Sequence, residues 1–203
     1  MIDMGRIRDD AQRAEYVKAI VGETARLSRL VEGVLEFSRI EQGKRVYHFR
    51  PVSLEEVLGS AARALSYALS QGGFHFSLTA DPGVPDVPAD REAIEQAVIN
   101  LLGNAMKFSG EARSIDLTLS REANNAVIRV RDRGIGIPLH EQPHVFERFY
   151  RATGAGARQI PGTGLGLALV DHVAQAHGGR VAVESRPNEG STFLILLPIP
   201  VTT

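Results

Sequence analysis

The sequence predicts an α+β fold: a mixed, mostly antiparallel sheet with helices on one face, preceded by a long N-terminal helix. Three observations predict it. Short stretches with alternating apolar and polar residues recur from Phe74 to the C-terminus, and two of them flank the short turn Glu122–Asn125, which can close only an antiparallel hairpin. Stretches of helical period lie between them, and their apolar stripes need a common sheet face to cover. Ahead of all this, Gln12 to Gln42 carries a helical pattern with no strand in it.

In that first segment Val17, Ile20, Thr24, Leu27, Val31 and Val34 repeat at spacings of three and four, a coiled-coil-like seam widened by Tyr16, Leu30 and Phe37. So wide a stripe calls for a partner helix, and Gly43 ends it. Val46 to Phe49 reads as a short strand before Pro51. Ser53 caps the next helix, with Glu56 as its capping-box partner, and the helix runs to about Ser70, where Gln71-Gly72-Gly73 breaks it. Phe74 to Thr79 alternates as a half-buried strand. Asp81 to Pro88 holds three prolines and reads as a turn before a short extended piece. Asp90 caps a helix to about Phe108. Ser114 to Ser120 and Ala126 to Arg131 form the hairpin. Pro138 starts a short helix. Ala152 to Pro161 is small, polar and Gly-rich, and reads as a mobile loop. Leu165 to His177 is a helix closed by Gly178-Gly179, and Arg180 to Ser185 and Thr192 to Leu197 are the last strands.

Bulk properties narrow the function. A chain of 203 residues holds one ordinary domain plus an appendage. Its 43% hydrophobic content supports a real core, and a formal net charge of -1 argues against a nucleic-acid or polybasic membrane surface. Cysteine is absent, which removes disulfides and thiolate metal sites. No apolar run approaches the roughly 20 residues of a membrane span.

Three clusters carry chemistry. Asn100, Asn104 and Lys107 recur at four and three residues and share a helix face. Amide oxygens are hard ligands suited to Mg²⁺, and a lysine adds a point charge for phosphate. Taken alone, the same stripe would suit a solvated surface. Asp132 follows a strand and precedes Gly134 and Gly136. Such a turn lets backbone approach a flat ring closely, and the carboxylate there can accept from an exocyclic amine, which favours adenine. A strand-ending Asp-Gly turn is the plainer meaning. Gly162, Gly164 and Gly166 open the helix from Leu165, where free N–H groups make an anion site or, alternatively, a hinge. No Gly-Lys-Ser or Gly-Lys-Thr is present, which excludes a Walker loop. A loop rather than a strand precedes these glycines, which disfavours a dinucleotide fold.

In this order the clusters resemble the motifs of the GHKL-type catalytic ATP-binding domain of sensor histidine kinases, in the superfamily shared with DNA gyrase, the heat-shock chaperone ATPase and the MutL repair proteins. Asn100 to Phe108 is similar to the N box, Asp132 to Ile137 to the first glycine box and Gly162 to Leu167 to the second. Val145-Phe146-Glu147-Arg148-Phe149-Tyr150-Arg151 resembles the F box, which marks the kinases, and Glu189 to Phe193 resembles the closing strand signature. Upstream, Arg26 to Glu32 and Phe37 to Glu41 resemble the second helix of the dimerisation bundle, so the resemblance covers nearly the whole chain.

The resemblance implies a two-layer α/β sandwich at residues 45–200, with residues 1–44 as a partial bundle. It implies ATP and Mg²⁺ as cofactors. Asp132 would bind the adenine amine, and Asn104 with Asn100 would hold the metal. Asn104 and Lys107 would be catalytic, and Lys107 and Arg151 would face the phosphates. Gly162, Gly164 and Gly166 would hinge a lid from Ala152 to Pro161. Phe108, Gly134, Gly136, Ile137, Thr163, Leu165 and Thr192 would complete the nucleotide site. It further implies a homodimer through the bundle of the full-length protein, a cognate response regulator, no nucleic acid, a cytoplasmic location, and membrane attachment (to the inner membrane) only through a missing N-terminal part.

One departure stands out. The family phosphorylates a histidine in a His-Glu/Asp-x-x-x-Pro setting, and none of the six histidines has it. His48, His75, His140, His144, His172 and His177 read as structural or surface residues. Met1 to Arg6 resembles the tail of a missing first helix, so the chain reads as a fragment cut after the acceptor, or as a kinase-like protein that never autophosphorylates. Three rivals remain at this level. A degenerate scaffold acting by protein contacts is opposed by the intact Asn104, Asp132 and glycines. A conformational ATPase is opposed by the F box and the bundle helix, and a serine-directed switch kinase by the bundle helix.

Overall fold

The computed structural model describes residues 46–152, 160 and 162–200, together with Tyr16, Val17, Ile20 and Thr24. The chain divides into two compact units, Met1–Arg45 and Val46–Thr203. In the first, the four described residues have helical backbone with exposed side chains, and Thr24 Oγ1 donates to the Ile20 carbonyl at 2.8 Å. The rest of the seam predicted over Gln12 to Gln42 lies outside the described residues, as does most of the loop predicted over Ala152 to Pro161.

The second unit is built on a five-stranded sheet: β2 (His75–Ala80), β4 (Ser114–Glu122), β5 (Asn125–Asp132), β6 (Arg180–Arg186) and β7 (Gly190–Pro198), in the order β2-β4-β5-β7-β6. Only β2 and β4 are parallel. The other neighbours are antiparallel. Helices α1 (Leu54–Gln71), α2 (Arg91–Phe108) and α3 (Gly166–Ala176) supply the second layer. The layer works because strand alternation points one set of residues inward. Ile115, Leu117 and Leu119 of β4 are buried, as are Ile128 and Val130 of β5 and Phe193, Ile195 and Leu197 of β7. They meet Val57, Leu58 and Ala61 of α1, Ile94, Val98, Leu101 and Leu102 of α2, and Val170 and Val173 of α3, all buried.

The helix starts follow their caps. Ser53 Oγ accepts from Glu56 N–H at 3.4 Å and Asp90 Oδ1 from Ala93 N–H at 3.0 Å. Gly73, at φ +65, and the bond from Phe74 N–H to the Leu69 carbonyl (3.0 Å) stop α1. The β4–β5 hairpin is longer than predicted, because pairing continues to Glu122↔Asn125 and leaves only Ala123 and Asn124 in the turn.

Two elements differ from expectation. The first strand is not Val46 to Phe49 but β1 (Arg50–Val52), which includes Pro51 and pairs antiparallel with β3 (Val87–Ala89). Pro51 stands opposite Pro88, a non-hydrogen-bonded position where neither ring forfeits a ladder bond. No helix starts at Pro138; a single tight turn forms later, at Gln142–His144. β2 is an edge strand, so its predicted inward set is only half covered: Phe74 and Phe76 are intermediate and Leu78 is 36% exposed. Among the described residues, no helix is long and apolar enough to cross a membrane.

Candidate nucleotide site

Three motif segments meet along α2. At its C-terminal end the loop after β5 is pressed against the helix: Ile135 N–H donates to the Phe108 carbonyl at 3.1 Å, and a side chain on Gly134 would begin 1.7 Å from that oxygen. Midway along α2, the Asn100 amide oxygen lies 3.8 Å from where a side chain on Gly166, the first residue of α3, would begin. Just before α3, Phe149 N–H donates to the Gly164 carbonyl at 2.9 Å. Phe149 itself holds a φ of +59, so the F-box backbone crosses the second glycine turn directly.

Asp132 ends β5 on the helix-covered face and is only 2% exposed. Its Oδ1 accepts from Gly134 N–H at 2.8 Å. Burial pushes the carboxyl above its usual value, and the backbone N–H groups of Gly134 and Ser191 work against that rise. A buried carboxylate with one oxygen bonded to the Gly134 amide is a fixed acceptor, suited to an amine-bearing ring and hostile to a carbonyl in the same place.

Asn100 and Asn104 are half-buried on one face of α2, and Lys107 is exposed one turn on. Gly162 is exposed in open space. Thr163 Oγ1 accepts from Leu165 N–H at 3.2 Å. Leu165 is a core residue, 4% exposed, so its side chain serves packing. One guanidinium N–H of Arg151 donates to the Ile160 carbonyl at 2.9 Å, which ties together the two flanks of the 152–160 segment. Phe108 and Ile137 are half-buried, and both contribute backbone to the turn: Ile137 N–H donates to Ser185 Oγ at 2.8 Å.

The glycines of the first turn also have a packing role. Gly134 and Gly136 do face a flat obstacle, but it is the protein's own backbone: Phe108 for the first and Arg186, 1.9 Å from the absent side chain, for the second. Both contacts lock the loop.

Thr192 lies on the other side of the sheet from Asp132. It pairs with Arg131, and side chains alternate along a strand, so Thr192 points to the sheet face opposite Asp132. Ser191, one residue earlier, is 6% exposed and shares the face of Asp132, and its backbone N–H works against the rise of that carboxyl. Ser185 Oγ donates to the Gly190 carbonyl at 2.8 Å while accepting from Ile137, so the Ser191 hydroxyl donates across the 3.0 Å to Ser185 and keeps its lone pairs for a further donor. Gln142 fastens the same corner, its amide bonding the carbonyls of Ile137 (2.9 Å) and Ser185 (2.8 Å). The sequence signal for Ser191 was the strand period, counted from Asp132 through the β5–β7 register.

The family model described as histidine kinase-, DNA gyrase B- and HSP90-like ATPase matches residues 89–201, more than half of the chain. The chain belongs to this family. It is 35% identical over 189 residues to the circadian input-output histidine kinase CikA of Synechococcus elongatus, an alignment covering 92% of this chain and 25% of CikA. Among solved structures, full-length ShkA in complex with AMPPNP superposes with a TM-score of 0.78 at 28% identity, covering 95% of this chain and 40% of ShkA. The histidine kinase ThkA in complex with the response regulator protein TrrA gives a TM-score of 0.78 at 25% identity, over 97% of this chain and 54% of ThkA. The chain thus spans from a quarter to about half the length of these relatives. Its second unit is an ATP-binding domain of the histidine-kinase type, and the sandwich of sheet and helices is that family's fold.

Proposed function

We propose that this chain is the catalytic part of a two-component sensor kinase, binding ATP and passing its γ-phosphoryl group to a histidine that is not one of its own six. The observation that carries this reading is the buried Asp132, whose Oδ1 accepts from Gly134 N–H in the loop pressed against the end of α2, the helix that bears Asn100 and Asn104. Asp132 accepts from the adenine amine. Lys107 and Arg151 offset phosphate charge, and the turn from Gly162 to Gly166 presents backbone N–H groups at the start of α3. Residues 45–200 act as the catalytic domain, and residues 1–44 supply the second helix of a dimerisation bundle. A response regulator is the downstream partner.

Mg²⁺ fits this donor set. Among the described residues no group of three or more His, Asp or Glu side chains could hold a metal alone, but Asn104 and Asn100 offer neutral, hard oxygens of the kind that complement phosphate-bound Mg²⁺. When bound, the ion supplies charge neutralisation at the phosphates. All six histidines lie in the second unit, and the nearest to the site's F box, His144, is engaged by Glu147 at 2.6 Å.

Calorimetric titration with ADP and a non-hydrolysable ATP analogue, with and without Mg²⁺, tests the site. Micromolar binding that strengthens with Mg²⁺ is the expected outcome. A folded sample that binds neither nucleotide overturns it and favours a scaffold acting by protein contacts. Labelled ATP tests the acceptor: base-stable, acid-labile label on this chain would refute the absence of an internal acceptor.

A further inference from the structure

His177 is a buried histidine that the nucleotide site does not use. It closes α3 and is 7% exposed. Its two ring nitrogens face partners with opposite demands. Nδ1 lies 2.7 Å from the Val173 carbonyl oxygen, which only accepts, and Nε2 lies 2.9 Å from the Asp90 backbone nitrogen, which only donates. One ring state satisfies both: a neutral imidazole with its proton on Nδ1. Asp90 is itself a junction. It caps α2 through Ala93, and its Oδ2 accepts from His48 N–H at 2.9 Å. The rings of Tyr47 and Phe49 lie against His177 with centroids 5.5 and 4.9 Å away. The segment leading into β1 is therefore hung on one imidazole, by backbone through Asp90 and by ring contact directly.

We propose that His177 is a positioning residue that holds Tyr47–Phe49 and the start of α2 against α3, and that it does so only while neutral. Protonation at Nε2 sets two N–H donors against each other across 2.9 Å and releases the segment. Among the described residues, titratable side chains on the elements packed against it include Asp90 of α2 and Tyr47 of the incoming segment, with the His172 ring of α3 6.3 Å from that of Tyr47 between centroids. Pro88, Pro198 and Ile199, which line an open groove with it, bring no charge. The Asp90 carboxylate attracts an imidazolium, yet its oxygens already serve Ala93 and His48. This proposal goes beyond the nucleotide reading and stands independently of it.

The test uses the full chain without nucleotide. Imidazole ¹⁵N shifts near pH 7.5 should show the proton on Nδ1, and amide exchange at His48 and Asp90, corrected for intrinsic rates, should lose about tenfold protection on going to about pH 5.5. In His177→Gln, which keeps an acceptor and does not titrate, that pH dependence should vanish. An Nε2–H tautomer, protection that persists through His177's own titration, or a pH dependence retained in the Gln variant would each overturn the proposal. If the variant does not fold, the wild-type tautomer and protection decide it alone.

Discussion

Gly134 sits so tightly on the end of α2 that its missing side chain would overlap the carbonyl oxygen of Phe108, the same oxygen that accepts from Ile135 N–H. The loop that follows Asp132 is thereby pressed against the end of the helix carrying Asn100 and Asn104. Preorganisation of this kind removes an ordering cost from binding.

That contact gives a paired stability prediction. Gly134→Ala should cost at least about 3 kcal/mol, since backbone must shift to admit the methyl group. Ala123→Gly should gain about 1 kcal/mol by relieving a left-handed alanine, whose φ is +50 in the β4–β5 turn. Urea melts of the two variants check both signs.

Asp132 makes stability depend on pH in an unusual direction. Its folded pKa is raised by burial, so the folded state holds the proton more tightly than the unfolded one. The contribution of this group is fully present below the unfolded pKa and is lost as pH rises through the folded one. Relative to Asp132→Asn, the wild type should gain stability as pH falls from neutral toward about 4. A difference that stays flat over this window would contradict the raised pKa. At neutral pH the same variant should lose about tenfold or more in ADP affinity.

Asn104→Ala separates metal from base recognition. Its ATP-analogue affinity should fall about tenfold more with Mg²⁺ than without, because a hard oxygen ligand is removed while Asp132 is untouched. Equal losses in both titrations would refute the metal role.

Ser191→Ala and Thr192→Val contrast the two sheet faces. The first should weaken ADP binding about five- to tenfold and the second by no more than about twofold, since only Ser191 shares a face with Asp132. The reverse order would restore Thr192 to the site.

Much of this was legible because local chemistry dictated it. Asp90 and Ser53 announced helix starts, Gly72-Gly73 and Gly178-Gly179 announced ends, and the Glu122–Asn125 turn fixed a hairpin. What escaped depended on partners remote in sequence. Pro51 is admissible in β1 because its register with β3 puts it at a non-hydrogen-bonded position. The parallel direction of β2 follows from a crossover through α2, which no local pattern records. Which of Ser191 and Thr192 shares the face of Asp132 follows from the register of β7 with β5, which the local sequence does not record. His177 was read as structural, and the structure agrees, but its link to Asp90 joins the ends of two helices far apart in the chain.

The β5–β7 pairing has a kinetic corollary. β4–β5 and β6–β7 are local hairpins that close short loops, whereas β5 and β7 find each other only after the long stretch between them has been gathered in. Asp132 belongs to the first hairpin and Ser191 to the second, so this corner of the pocket forms only when β5 and β7 pair. A nucleotide that fills it acts on the finished molecule alone, pulling refolding forward by mass action and reporting, in a melt, the fraction of chains that completed the sheet.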